Sequence, residues 1–155
     1  MSYRKSTSYI VIHCTANQAN PNLSVRDIRA FHIKERGWSD CGYHFVIPTS
    51  GVIQRGRPEA FVGAHALGYN DKSIGISYIG GLVKDKNGKL VNADTRTSQQ
   101  RFSLFKLCHE LMEKYNIPIE HVIGHYEVCS GKSCPNFDMN IFRKELLMFI
   151  NNQKH

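Results

Sequence analysis

Apolar positions are not spread evenly along the chain. Residues 8–14 (SYIVIHC) form a short, nearly continuous apolar run rich in β-branched side chains. Such a run fits a strand buried on both faces. Residues 17–23 are polar, contain Pro21 and read as a loop. Ser24, with Asp27 three residues later, has the form of an N-terminal capping pair. Val25, Ile28 and Phe31 then recur at helical spacing, which predicts a helix from about Val25 to Arg36, stopped by Gly37. Residues 43–47 and 52–55 read as strands, and Pro48 with Ser50 and Gly51 supplies the hairpin turn between them. Residues 74–79 predict another central strand, closed by Gly80 and Gly81. Asn87-Gly88 marks a tight turn inside a charged, exposed excursion. Residues 97–100 (TSQQ) form a capping box that opens a helix with Leu104, Cys108, Leu111 and Tyr115 along one stripe, and Pro118 follows its end. Residues 121–125 (HVIGH) predict a short strand. Asp138 caps a last helix with Phe142, Leu146 and Phe149 on one face.

This order of elements predicts a single α/β domain over residues 1–155, with a central mixed sheet flanked by about three helices. No repeat, linker or separate targeting domain interrupts it. The chain has 155 residues, 41% of them hydrophobic, which suffices for a core without disulfide staples. In open α/β sheets, ligands bind beyond the strand ends. His13 and His125 both fall at the end of a predicted strand, which makes them candidates before any motif is considered.

The formal net charge of +7 favours an anionic partner such as nucleic acid, an anionic lipid surface or an acidic wall polymer. The chain lacks an Arg/Lys-dense stripe interleaved with aromatics, so nucleic acid is not the expected partner. Five cysteines at irregular spacing do not form a disulfide framework and read as reduced thiols, one of them suited to a metal. The N-terminus is polar with no signal-like apolar segment, and no run is long enough to span a bilayer. The expectation is a protein made in the cytoplasm and not inserted in membranes.

A catalytic zinc site needs three protein ligands and one open position. His13, His125 and Cys134 form one such set, if the loop containing Gly131 folds the cysteine back. A closed structural site from His121, His125, Cys129 and Cys134 competes on spacing alone. Against it, residues four apart on a strand lie ~13 Å from each other. Tyr43, after Gly42, can hydrogen-bond a reacting group. Lys132, two residues before Cys134, can stabilise negative charge on a carbonyl oxygen.

The segments VIHCTA, ERGW, CGYHFVI, GAHALGYN, SIGISYIGG, GHYEV and KSCPNFD resemble the zinc-dependent N-acetylmuramoyl-L-alanine amidases of the phage lysozyme type, relatives of the peptidoglycan recognition proteins. The resemblance runs from about residue 8 to about residue 145. It implies a recognition-protein-like fold, one catalytic Zn2+ on His13, His125 and Cys134, and catalytic roles for Tyr43 and Lys132. It also implies substrate contacts from His65 and Asn70. The implied reaction is metal-assisted hydrolysis of the bond between muramic acid and L-alanine, with bacterial peptidoglycan as partner and a monomer as the working unit. Retention of Cys134 favours an enzyme over a non-enzymatic peptidoglycan-binding protein. Glu127 is placed to orient a ligand from behind. Without an export signal, a phage or prophage endolysin released by lysis or a holin is the simplest biology, with an injected antibacterial effector as the alternative.

Overall fold

The computed structural model describes residues 1–154. Tyr9–Cys14 (β1) is the buried strand expected, and it sits inside a five-stranded sheet. Its neighbours are Ser73–Tyr78 (β5) and Val122–Gly124 (β8), both parallel to it. Phe45–Ile47 (β3) runs parallel on the far side of β5, and Gln54–Arg55 (β4) closes the edge antiparallel to β3. The order is β4-β3-β5-β1-β8, a mixed sheet as the alternation of elements predicts.

Alternation along the strands separates two faces. Ile10 and Ile12, Ile74, Ile76 and Tyr78, and Phe45 and Ile47 point into the main core. That core is completed by Leu104, Leu107, Cys108 and Leu111 of Ser98–Tyr115 (α2) and by Phe142 and Leu146 of Met139–Gln153 (α4). The other face carries Val25–Arg36 (α1), which packs through Ile28 on Val46 and Ile79. His13 lies on the α1 side, and its neighbour Cys14 turns towards the main core.

The three expected helix starts hold through bonds between side chains and the backbone. The Ser24 N–H donates to Asp27 (2.9 Å), the Gln100 N–H donates to Thr97 Oγ1 (3.0 Å), and Asp138 accepts from Asn140 and Ile141. Gly37 ends α1 in the left-handed region at φ 70°, where a side chain would be strained.

Three expectations change. Residues 121–125 are not one strand: His121 ends a 3-10 turn (Ile119–His121), β8 has only 3 residues, and His125 opens a short helix (α3, His125–Val128). Glu127 accepts the Gly124 N–H (2.9 Å), which satisfies a free donor at the helix start and ends the strand there. With α3 there are four helices rather than three among the described residues. The charged excursion holds a second sheet, in which Asn17–Gln18 (β2), Gly81–Lys84 (β6) and Leu90–Asn92 (β7) pair in the order β2-β6-β7. The Asn87-Gly88 turn is its hairpin, with Gly88 N–H donating to Asp85 O (3.0 Å). None of the described helices is long and apolar enough to cross a membrane.

Candidate active site

Parallel pairing of β1 and β8 sets Ile12 beside Gly124, so the residues that follow, His13 and His125, emerge together. Their ring centroids are 4.5 Å apart. The chain then turns back through Gly131, at φ 81°, and the Tyr126 N–H clamps the return by donating to Cys134 O (2.8 Å). Cys134 Sγ accepts from the Cys14 N–H at 3.1 Å. As a result, His13, His125 and Cys134 each offer one ligand atom, all within 4.8 Å of one another.

The closed alternative is not built. His121 Nδ1–H donates to Ser8 O (2.8 Å) and its ring stacks on Tyr9 at 4.2 Å. Neither His121 nor Cys129 joins the cluster of potential ligands among the described residues.

The donor set suits zinc. Burial, with His65 and His125 close by, pushes His13 well below the ordinary histidine range. Burial and then the Lys132 ammonium lower His125. Both imidazoles are thus neutral near pH 7, the state in which they ligate metals. Two imidazole nitrogens and one sulfur are donors that zinc accepts, and three ligands leave a fourth position open. Ser77 Oγ, paired in register with His13, is buried with no hydrogen-bond partner among the described residues. The residues fit the ion.

The cluster lies in a cleft of about 1000 Å³ bounded by α1, the β1 end and the loop before Cys134. Tyr43 precedes β3 rather than starting it, and its ring packs on His13 (5.1 Å) and His32 (5.3 Å). Burial raises its phenol well above the usual range, so Tyr43 keeps its proton and acts as a donor. Lys132 is exposed on the cleft rim. Asn70 lines the cleft and its Oδ1 accepts from the N–H groups of His65 (2.8 Å) and Ala66 (2.9 Å). His65 lines it too, but both ring nitrogens are engaged within the protein: Nδ1 meets His13 Nε2 at 2.9 Å and Nε2 meets Ser73 Oγ at 3.2 Å. Glu127 does not touch a ligand; it fixes the backbone at Gly124 and pairs with Arg143 (2.8 Å).

Sequence inspection missed Cys14, Ser73 and His32. The pattern Ser73-Gly75-Ser77, small residues alternating with Ile74 and Ile76, was the available signal for a strand face cleared for other side chains.

Residues 3–137 match the family described as N-acetylmuramoyl-L-alanine amidase, and the chain belongs to that family. Its reaction class is hydrolysis of an amide bond in peptidoglycan. The endolysin of Escherichia phage T7 is 43% identical over 136 residues, covering 88% of this chain and 85% of that protein. Among solved structures, the N-acetylmuramoyl-L-alanine amidase LysC from Clostridium intestinale URNW superposes with a TM-score of 0.77 at 35% identity, covering 97% of this chain and 89% of that one. A Drosophila PGRP-LB variant in complex with tracheal cytotoxin gives a TM-score of 0.71 at 30% identity, with 87% and 79% coverage.

Proposed function

We propose that this chain cleaves the amide bond between N-acetylmuramic acid and L-alanine with one zinc ion held by His13, His125 and Cys134, as the endolysin of a phage or prophage. The observation that carries this is the convergence of those three donors, from three separate segments, within 4.8 Å at the floor of an open cleft. Zinc in such a site polarises a carbonyl and makes water nucleophilic near neutral pH.

The chain's own groups do the rest. Tyr43 keeps its proton and donates a hydrogen bond to the carbonyl oxygen as negative charge develops on it. The Lys132 side chain on the rim brings positive charge towards the same oxygen. Asn70 and the cleft walls hold the muropeptide, with Asn70 Nδ2 left over as a donor. The proton that the departing L-alanine amine needs comes from the attacking water, passed on through the Tyr43 hydroxyl, which is left protonated. All three ligands come from one chain, so a monomer suffices. The enzyme reaches the wall once lysis, a holin or a secretion route releases it.

Mass spectrometry of purified peptidoglycan after digestion tests this. Stem peptides with new L-alanine N-termini are expected, absent after prolonged chelation and restored by zinc. Glycan-strand fragments would point to a different bond. Binding without any release would make the chain a peptidoglycan-binding protein.

A further inference from the structure

One side of β5 carries Ser73, Gly75 and Ser77, facing Tyr9, Val11 and His13 of β1 in the parallel register. Two hydroxyls and a glycine leave room there, and the His65 ring fills it. A Cβ on Gly75 would stand 2.6 Å from ring carbons of His65 and 2.8 Å from its Nδ1, and a Cβ on Gly63 would stand 2.6 Å from the same ring. Neither glycine has a left-handed backbone, so what each supplies is space. Held between them, the ring spans from Ser73 to His13.

Counting protons along this span gives it a direction. The Ser73 hydroxyl has one proton and donates it to Tyr69 O (2.7 Å). Its oxygen therefore accepts from His65 Nε2–H at 3.2 Å. A neutral imidazole protonated at Nε2 has a bare Nδ1. The 2.9 Å contact between His65 Nδ1 and His13 Nε2 holds one proton, and it resides on His13. No carboxylate contacts either ring among the described residues, so nothing there supports a cationic imidazole. His13 is then left with one free lone pair, on Nδ1.

We propose that His65, anchored by Ser73, is a positioning residue for the cation site: it accepts the Nε2 proton of His13 and so fixes Nδ1 of His13 as the ligand atom. This rests on the zinc reading of the same site, and it gives His65 a role other than the substrate contact that the family resemblance implies. Ligating histidines commonly donate their second N–H to a carboxylate, a carbonyl or water, and losing that partner weakens metal binding about 10- to 100-fold. Here the acceptor is a second imidazole, whose own tautomer is set by a serine.

Two measurements decide it. Long-range 1H–15N spectra of the metal-free wild type should show His13 and His65 both protonated at Nε2; a proton on Nδ1 of His13 overturns the proposal. Zinc affinity, by competition with a chromophoric chelator, should fall about 10- to 100-fold in His65→Phe. His65→Asn places an amide oxygen where Nδ1 was and should recover most of the loss. Wild-type affinity in His65→Phe, or no rescue by Asn in a folded protein, also overturns it. If His65→Phe does not fold, the wild-type tautomer alone decides. A wild type that releases no L-alanine termini counts against the amidase mechanism and leaves the tautomer result standing; the wrong tautomer in an active enzyme counts against this inference alone.

Discussion

In the proposed zinc set, Cys134 is the donor whose ionisation state must change for the ion to bind. The neighbouring Cys14 thiol, and then burial, push the Cys134 thiol far above its ordinary range. A sulfur ligates zinc as thiolate, so binding must expel that proton. Titration calorimetry in two buffers of different ionisation enthalpy should report about one proton released per zinc at pH 7. No release in the wild type would remove Cys134 from the ligand set, and Cys134→Ala should lose zinc and activity while remaining folded. Lys132 makes a contrasting case. It sits on the rim and holds no ligand atom, so Lys132→Ala should retain zinc stoichiometry while turnover falls on the order of 100- to 1000-fold, as for loss of one oxyanion donor. Unchanged turnover would make it a bystander. At this scale the sequence supplied candidates rather than a site. His13, His125 and Cys134 stood out by type and by resemblance, and strand pairing brings these three together while leaving His121 and Cys129 outside the cluster. The support from the Cys14 N–H was not legible, because a backbone donor has no residue signature. The His65 contact was not legible either, because it joins positions 52 apart in the chain.

Helix α2 shows how an element can be legible while its anchoring is not. The TSQQ segment announced a cap, and Thr97 Oγ1 does accept the Gln100 N–H. Three further bonds were hidden: Thr97 Oγ1–H donates to Thr49 O (2.8 Å), and the Gln100 amide donates to Ile47 O (3.0 Å) and Ile79 O (3.1 Å), just where β3 and β5 end. Gln100 is fully buried, so it is a strand-end clamp as much as a capping residue. Thr97→Ala should cost about 1 kcal/mol, the usual cost of an N-cap. Gln100→Leu should cost more, about 2 kcal/mol or above, because two buried carbonyls lose their donor. Urea unfolding of both variants checks the order, and a Gln100→Leu penalty at or below that of Thr97→Ala would show the clamp to be dispensable. Long elements such as β1, β5, α2 and α4 were readable because periodicity needs length to register. β2, β6 and β7 have 2, 4 and 3 residues and carry little of it. The same brevity merged a 3-10 turn, β8 and the start of α3 into one expected strand.

Across the whole molecule, the α1 side of the sheet is packed with histidines that burial keeps neutral. His44 is 1% exposed; its Nδ1 accepts from the Gly75 N–H (3.0 Å) and its Nε2–H donates to Phe61 O (2.7 Å). The bond to Nδ1 requires the neutral ring, and burial lowers its pKa to about 4. Burial likewise brings His32, whose Nδ1 accepts from the Gly42 N–H (2.9 Å), to about 4. His13 and His65 are also held well below the ordinary histidine range, by burial first. A histidine depressed in the folded state binds its proton more readily when unfolded. Its contribution to stability is therefore complete above the unfolded value near 6.5 and drains away as pH falls through the folded value. For His44 alone, a shift from about 6.5 to about 4 amounts to roughly 3 kcal/mol. The carboxylates Glu59, Asp94 and Glu127 are held below their ordinary range by lysine or arginine partners, so their contributions fail only below about pH 4.5. Between pH 6.5 and 4.5 the histidines dominate. Urea unfolding with chelator present should thus show stability flat from pH 8 to 7 and falling by several kcal/mol towards pH 4.5. His44→Asn should be less stable at pH 7.5 but lose less on acidification. A wild-type profile flat down to pH 4.5 would mean that these rings accept protons without leaving the fold, and the neutral-histidine layer behind the cleft would then not be what ties the molecule's stability to pH.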